Sequence, residues 1–199
     1  MGRRLPTRRP KAFRSFPALE VGGRHAPATG GDIRLHTTAR RADLCFELAL
    51  RLRRELGDAA EAIEEVHGFR HLDVRDLTRW EQLAVREQEA AIGRRKRDSR
   101  ELADRVKPAT AHIARVVIEE DGREFEIVRH SFPYGTTSEC GLFFIAFTCD
   151  LAIPEKMLRR MMGALGDGLH DRLMEFTRAV SGATFFAPSL AGLRALGTR

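Results

Sequence analysis

Apolar and polar positions along the chain alternate between two periods, and the changeover points divide it into elements. Asp32-Ile33-Arg34-Leu35-His36-Thr37-Thr38 has period two after Gly30-Gly31 and predicts a half-buried strand. From Leu44 the period lengthens. Leu44, Leu48 and Leu52 form one stripe, widened by Phe46, Ala49 and Leu50, so a helix is expected to about Leu56, with Asp43 as its cap and Gly57 as its stop. Ala62 to Arg70 reads as a second strand and Val85 to Lys96 as a second helix, followed by a charged, solvated loop from Arg97 to Arg105. A proline-braked loop, Lys107-Pro108-Ala109-Thr110-Ala111, then delivers His112 ahead of an apolar strand, Ile113–Ile118. Asp121-Gly122 turns the chain back into a strand ending at Arg129. Gly141 to Thr148 is an apolar run suited to a strand buried on both faces. Pro154 opens a helix to about Met162, a further helix is expected from Asp167 to Val180, and Ala183 to Phe186 forms a short last strand. The sum is an α+β, ferredoxin-like fold with antiparallel sheets and helices on one face.

Composition narrows the class. A chain of 199 residues, 43% apolar and 31% charged, can bury a real core, and no apolar run approaches the length of a membrane span. The net charge of +6 hints at nucleic acid, but the densest basic cluster is confined to Arg3-Arg4 and Arg8-Arg9-Pro10-Lys11. With one Trp and one Tyr there is little aromatic surface for base stacking, so a basic solvated surface is expected and no nucleic-acid or membrane partner. Cys45, Cys140 and Cys149 lack CxxC spacing, and an odd count points to reduced thiols. Arg3-Arg4 is followed by Leu5-Pro6-Thr7-Arg8-Arg9 and not by the apolar stretch of an export signal, so a cytoplasmic protein is expected.

On residue chemistry alone, a histidine at a strand mouth beside an arginine on the returning strand suits a metal ligand next to an anion or oxidant site. Such a histidine also packs, caps or hydrogen-bonds, and Arg129 also reads as a surface strand residue. A family resemblance adds to this. Ile92-Gly93-Arg94-Arg95-Lys96, Glu101-Leu102, Val106-Lys107-Pro108 with His112, Val128 to Gly135, Gly141 to Phe147, Asp171 to Phe176 and Gly182 to Ser189 occur in an order and spacing that resemble the haem-binding half of the dye-decolourising peroxidases, in their compact bacterial branch. Gly30-Gly31-Asp32 and His67-Gly68-Phe69-Arg70 resemble the end of that family's N-terminal half. The domains implied are an extended basic arm (1–31), a partial N-terminal ferredoxin-like half (32–75) and a C-terminal haem-binding half (76–199), the remnant of a tandem ferredoxin-like pair.

The resemblance implies haem b as cofactor, with His112 as axial iron ligand, Asp171 orienting that imidazole from a helix, and Arg129 assisting peroxide cleavage. It also implies Ser131 where the compact branch usually has asparagine, Arg94 on a haem propionate, and Phe144 packing against the cofactor or the sheet core. Hydrogen peroxide and a bulky aromatic reductant are the implied substrates, and a homo-oligomer the implied assembly. Taken without the resemblance, Asp171 reads as a carboxylate at a helix N-terminus. The chain departs from the family at Leu72 to Glu81, where several dozen residues are missing together with the Gly-Phe-x-Asp-Gly-Thr motif that carries the distal aspartate. That departure leaves two other readings open, a non-catalytic haem-binding or dimerisation module and a degenerate fragment of such a peroxidase.

Overall fold

A computed structural model describes residues 11–71 and 83–197; the Arg3–Arg9 cluster and the Leu72–Glu81 joint lie outside the described residues. The fold is α+β with antiparallel strand pairs, as expected, but the elements are shorter than the sequence pattern suggests. Among the described residues the strands form three two-stranded pairs: β1 (Leu19–Val21) with β2 (Arg24–Ala26), β3 (Glu119–Glu120) with β4 (Arg123–Glu124), and β5 (Val128–Gly135) with β6 (Cys140–Phe147). The helices are α1 (Ala42–Leu56), α2 (Val85–Ile92), α3 (His112–Val116), α4 (Ala152–Met162) and α5 (Leu190–Gly197).

The buried core lies where β1–β2, α2, α3 and α4 meet. It consists of Ala26, Ala91, Ala111, Ile113, Ile118, Met157 and Met162. The end of α4 is fixed there. Gly163 closes the helix at φ 77°, where an added Cβ would lie 3.0 Å from the Leu169 carbonyl, and Arg24 of β2 donates to the Met162 carbonyl at 3.0 Å. Further out on the same helix Arg14 pairs with Glu155 at 2.7 Å. The segment expected to be an extended arm is therefore a short hairpin packed against α4 over its described part.

Elsewhere apolar surface stays open. Helix α1 has no buried residue, and Leu44, Phe46 and Leu48 are 53%, 53% and 45% exposed.

Several sequence expectations are corrected. Ile113–Ile118 does not enter as a strand. Pro108 sets a turn closed by Ala111 N–H to the Pro108 carbonyl, and Arg115 and Val117 then donate to Ala111 and Ile113 in helical spacing. Tertiary bonds made by Arg115 override the β-branched composition. The strands across the Asp121-Gly122 turn are only 119–120 and 123–124, with one more backbone bond from Phe125 N–H to the Ile118 carbonyl at 2.9 Å, and the turn's φ values of 55° and 71° suit a tight hairpin. Asp32–Thr38 and Ala62–Arg70 are not strands; the second is held to β5 by one bridge, Gly68 to Tyr134, where a Cβ on Gly68 would strike Phe132 at 2.9 Å. The expected Asp167–Val180 helix is a single 3-10 turn at Arg172–Glu175, because Gly166 and Gly168 stand at φ 77° and 71° just before it. Ala183–Phe186 is unpaired: Thr29 clasps Gly182 instead, its N–H donating to the Gly182 carbonyl at 2.7 Å and its Oγ1 accepting from Gly182 N–H at 3.0 Å. Strand β6 is not buried on both faces, since Phe144 and Phe147 are 54% and 43% exposed.

Candidate active site

The closest union of predicted site residues is His112 with Asp171. Thr110 and Ala111 bring His112 to the first position of α3, and Ala111 is wholly buried against Gly93, which ends α2 at φ 90°. Asp171 arrives from the other side. Its backbone N–H donates to the Met161 carbonyl at 2.9 Å, and the next residue, Arg172, donates to the Thr110 carbonyl at 2.9 Å. The loop from α4 is thereby stitched to the turn that presents His112.

Asp171 is fully buried, and its two oxygens have separate tasks. Oδ1 accepts from Leu173 N–H at 2.9 Å and caps the 3-10 turn, while Oδ2 lies 2.6 Å from His112 Nδ1. An ionised carboxylate can only accept, so the imidazole carries its proton on Nδ1 and turns the Nε2 lone pair outward. Among the described residues Nε2 has no hydrogen-bond partner, and the side chain keeps 20% of its exposure. No cluster of three or more His, Cys, Asp or Glu among the described residues is set to hold a bare metal ion, so a single imidazole nitrogen is the donor on offer. A neutral imidazole oriented by a buried carboxylate is the donor chemistry that axial ligation of haem iron requires.

The other predicted residues sit on β5, on β6 and in the turn after α2. Cross-strand register places Arg129 opposite Ala146 and Ser131 opposite Phe144, so Arg129, Ser131 and Phe144 share one face of the β5–β6 hairpin. That face is largely exposed at Arg129 and Phe144. His130 points to the opposite face, as the strand alternation requires, with its ring 6.2 Å from that of Phe147. On this second face His36 approaches Phe132 and Phe143, and the Arg34 guanidinium lies 4.5 Å from the Phe143 ring centre. Burial, with Arg34 and His130 nearby, pulls the His36 pKa below its ordinary value. Arg94 follows Gly93 directly and is exposed, with one described side-chain bond, a 3.4 Å contact to the Ser99 carbonyl. Asp171 reaches His112 from the cap of a 3-10 turn and not, as expected, from a helix.

Sequence reasoning passed over Arg115. It is 4% exposed and binds the Arg160 and Leu169 carbonyls and Asp167. Its only sequence signal was a charged residue within an apolar run, Ile113-Ala114-Arg115-Val116-Val117-Ile118.

Comparison with known proteins bears on the whole chain. Family profiles described as Dyp-type peroxidase, N-terminal, and Dyp-type peroxidase, C-terminal, match residues 2–70 and 66–192. The dye-decolorizing peroxidase of Mycobacterium tuberculosis is 38% identical over 91% of this chain and 68% of its own length. A Dyp-type peroxidase structure from Shewanella oneidensis superposes with a TM-score of 0.91 at 34% identity, covering 96% of this chain and 76% of that one. A variant of DypB from Rhodococcus jostii RHA1 in complex with heme gives 0.91 at 32% identity, over 96% and 77%. The chain spans about two thirds of the length of the curated relatives it matches, 68% and 64% for two of them. The M. tuberculosis alignment runs over 231 residues while 91% of this chain's 199 residues, about 181, take part, so about fifty aligned positions have no counterpart here. These matches favour the peroxidase reading over that of a binding module. The chain belongs to the Dyp-type peroxidase family, a family of haem enzymes.

Proposed function

We propose that this chain is a haem b peroxidase of the dye-decolourising type, with hydrogen peroxide as oxidant and a bulky aromatic compound as reductant. The observation that carries the reading is the 2.6 Å contact between His112 Nδ1 and the buried Asp171 carboxylate, with Nε2 left to a ligand. Bound haem supplies the iron at which the peroxide O–O bond is cleaved. His112 holds that iron through Nε2. Asp171 keeps the proton on Nδ1 and enriches the electron density of the ring. Arg129, with no described ion pair, offers a fixed positive charge to a developing oxyanion, and Ser131 on the same face offers a hydroxyl to peroxide or water. Arg94 pairs with a propionate, and Phe144 lends an exposed ring to the cofactor's edge.

The uncovered apolar side chains of α1 support a homo-oligomer in which copies cover one another. Described cysteines that are all free support a reducing, cytoplasmic setting. The absence of a Gly-Phe-x-Asp-Gly-Thr string keeps a second reading alive, a haem-binding chain without turnover.

Titration of the purified chain with haemin, followed in the Soret region with His112→Ala as control, tests ligation. A histidine-type ferric spectrum present in the wild type and missing from the variant supports the assignment, and equal binding by both refutes it. Peroxide-dependent dye oxidation on the same sample separates the enzyme from the binder.

A further inference from the structure

The loop that returns the chain from α4 to Asp171 has little shape of its own. Gly163, Gly166 and Gly168 all stand at positive φ, 77°, 77° and 71°, and a loop so rich in glycine must have its conformation imposed from outside. Arg115 imposes it. This residue lies one helical turn beyond His112 on α3 and is 4% exposed. Its Nε and Nη2 donate to the Arg160 carbonyl at 3.1 and 3.0 Å, in the last turn of α4 just before the loop. Nη1 donates to Asp167 at 2.9 Å in its middle, and Nη2 reaches the Leu169 carbonyl at 3.4 Å near its end. Asp167 also accepts from Leu169 N–H at 3.0 Å, so the loop is folded back around the same carboxylate that binds the guanidinium. Arg160 returns the contact by donating to the Ala114 carbonyl at 2.8 Å. One planar side chain therefore spans both ends of the segment that places Asp171, and it does so from the helix that carries His112.

We infer that Arg115 is a positioning residue for the His112–Asp171 pair: it locks the end of α4 and the 163–169 loop onto α3, so that the Asp171 carboxylate meets His112 Nδ1 in a fixed geometry. The inference rests on the reading of His112 as the iron ligand. A mere brace would lower stability when removed and leave the hydrogen bond of the folded protein unchanged. A positioning residue changes that bond in molecules that are still folded.

The test uses Arg115→Met, Arg115→Lys and Asp167→Asn beside Asp171→Asn, with two readouts. In the haem-free chain, hydrogen exchange is followed at the Asp171 and Arg172 amides, whose acceptors are the Met161 and Thr110 carbonyls. In the haem-loaded ferrous chain, the iron–histidine stretching band reports the hydrogen bond to Nδ1. Arg115→Met is expected to speed exchange at both amides about tenfold or more relative to the α1 amides, and to move the band to lower frequency, toward its place in Asp171→Asn. Arg115→Lys, which can reach one acceptor but cannot span the loop, falls between. Folded Arg115→Met that keeps both the wild-type band and the wild-type protection at these amides overturns the inference. Should that variant fail to fold, Asp167→Asn carries the same expectations and the same refutation, since it removes only the ionic half of the clamp. If no variant and no wild type takes up haem, the reading of His112 fails, while the exchange comparison still decides whether Arg115 holds Asp171.

Discussion

Replacing Asp171 with Asn changes very little volume and reverses the polarity of one hydrogen bond. In the wild type Oδ1 caps the 3-10 turn through Leu173 N–H and Oδ2 accepts from His112 Nδ1. Asparagine keeps the first contact through its carbonyl oxygen, so the cap survives. Its amide group then faces Nδ1 as a donor, and the imidazole must move its proton to Nε2 to accept it. Nε2 thus carries a hydrogen where a metal would bind. A hydrogen bond to a charged partner contributes about 1.5–3 kcal/mol, and loss of the group that orients a metal-bound imidazole lowers affinity about 10- to 100-fold. The expected result is a haem dissociation constant raised by about one to two orders of magnitude and a melting temperature only a few degrees lower. Soret titration and differential scanning fluorimetry on the same preparation measure both. Asp171→Ala, which also removes the cap, should lose about a further 1 kcal/mol of stability. If Asp171→Asn binds haem as tightly as wild type through His112, the argument from tautomer and orientation is wrong.

Arg129→Leu should lower the rate of peroxide consumption about 10²- to 10³-fold with haem affinity unchanged, and equal losses in both would place Arg129 in cofactor binding instead. Gly93→Ala puts a Cβ 3.3 Å from Ala111 at φ 90°, and should cost about 1–2 kcal/mol in thermal denaturation; Gly166→Ala, at φ 77° with nothing within 4 Å, should cost less. The depressed pKa of His36 favours its neutral form in the folded chain, so its contribution is complete above the ordinary value of about 6.5 and is lost as pH falls through the lower folded value. The denaturation midpoint should therefore fall between neutral and mildly acidic pH, and His36→Gln should flatten that part of the profile.

What could be read in advance was what local physics decides. The stripe of Leu44, Leu48 and Leu52 stopped by Gly57 became α1, and the Asp121-Gly122 pair became a tight turn, because periodicity and positive-φ preference act over a few residues. The likeness carried by His112, Arg129 and Asp171 placed the chain in its family, and the pairing of His112 with Asp171 followed from it. The form of α3 was not legible. Five of six residues in Ile113-Ala114-Arg115-Val116-Val117-Ile118 are apolar, and only the distant carbonyls of Arg160 and Leu169, which draw Arg115 inward, select the helix. Nor could the pattern around Leu169 and Leu173 reveal that Gly166 and Gly168 would break the helix before it began. Those outcomes depend on contacts far apart in sequence, which single-sequence patterns do not encode.

The Arg24 contact to Met162 has a consequence in time. The ribosome makes the β1–β2 hairpin early, but the carbonyl it caps lies 138 residues later, and the Arg14–Glu155 pair is separated by 141. Asp171 emerges 59 residues after His112. For most of its synthesis the nascent chain thus carries an N-terminal clasp with nothing to close upon and an imidazole without its carboxylate. The His112–Asp171 contact therefore waits until the later residue has been made. A folding route weighted toward such distant pairings is slow.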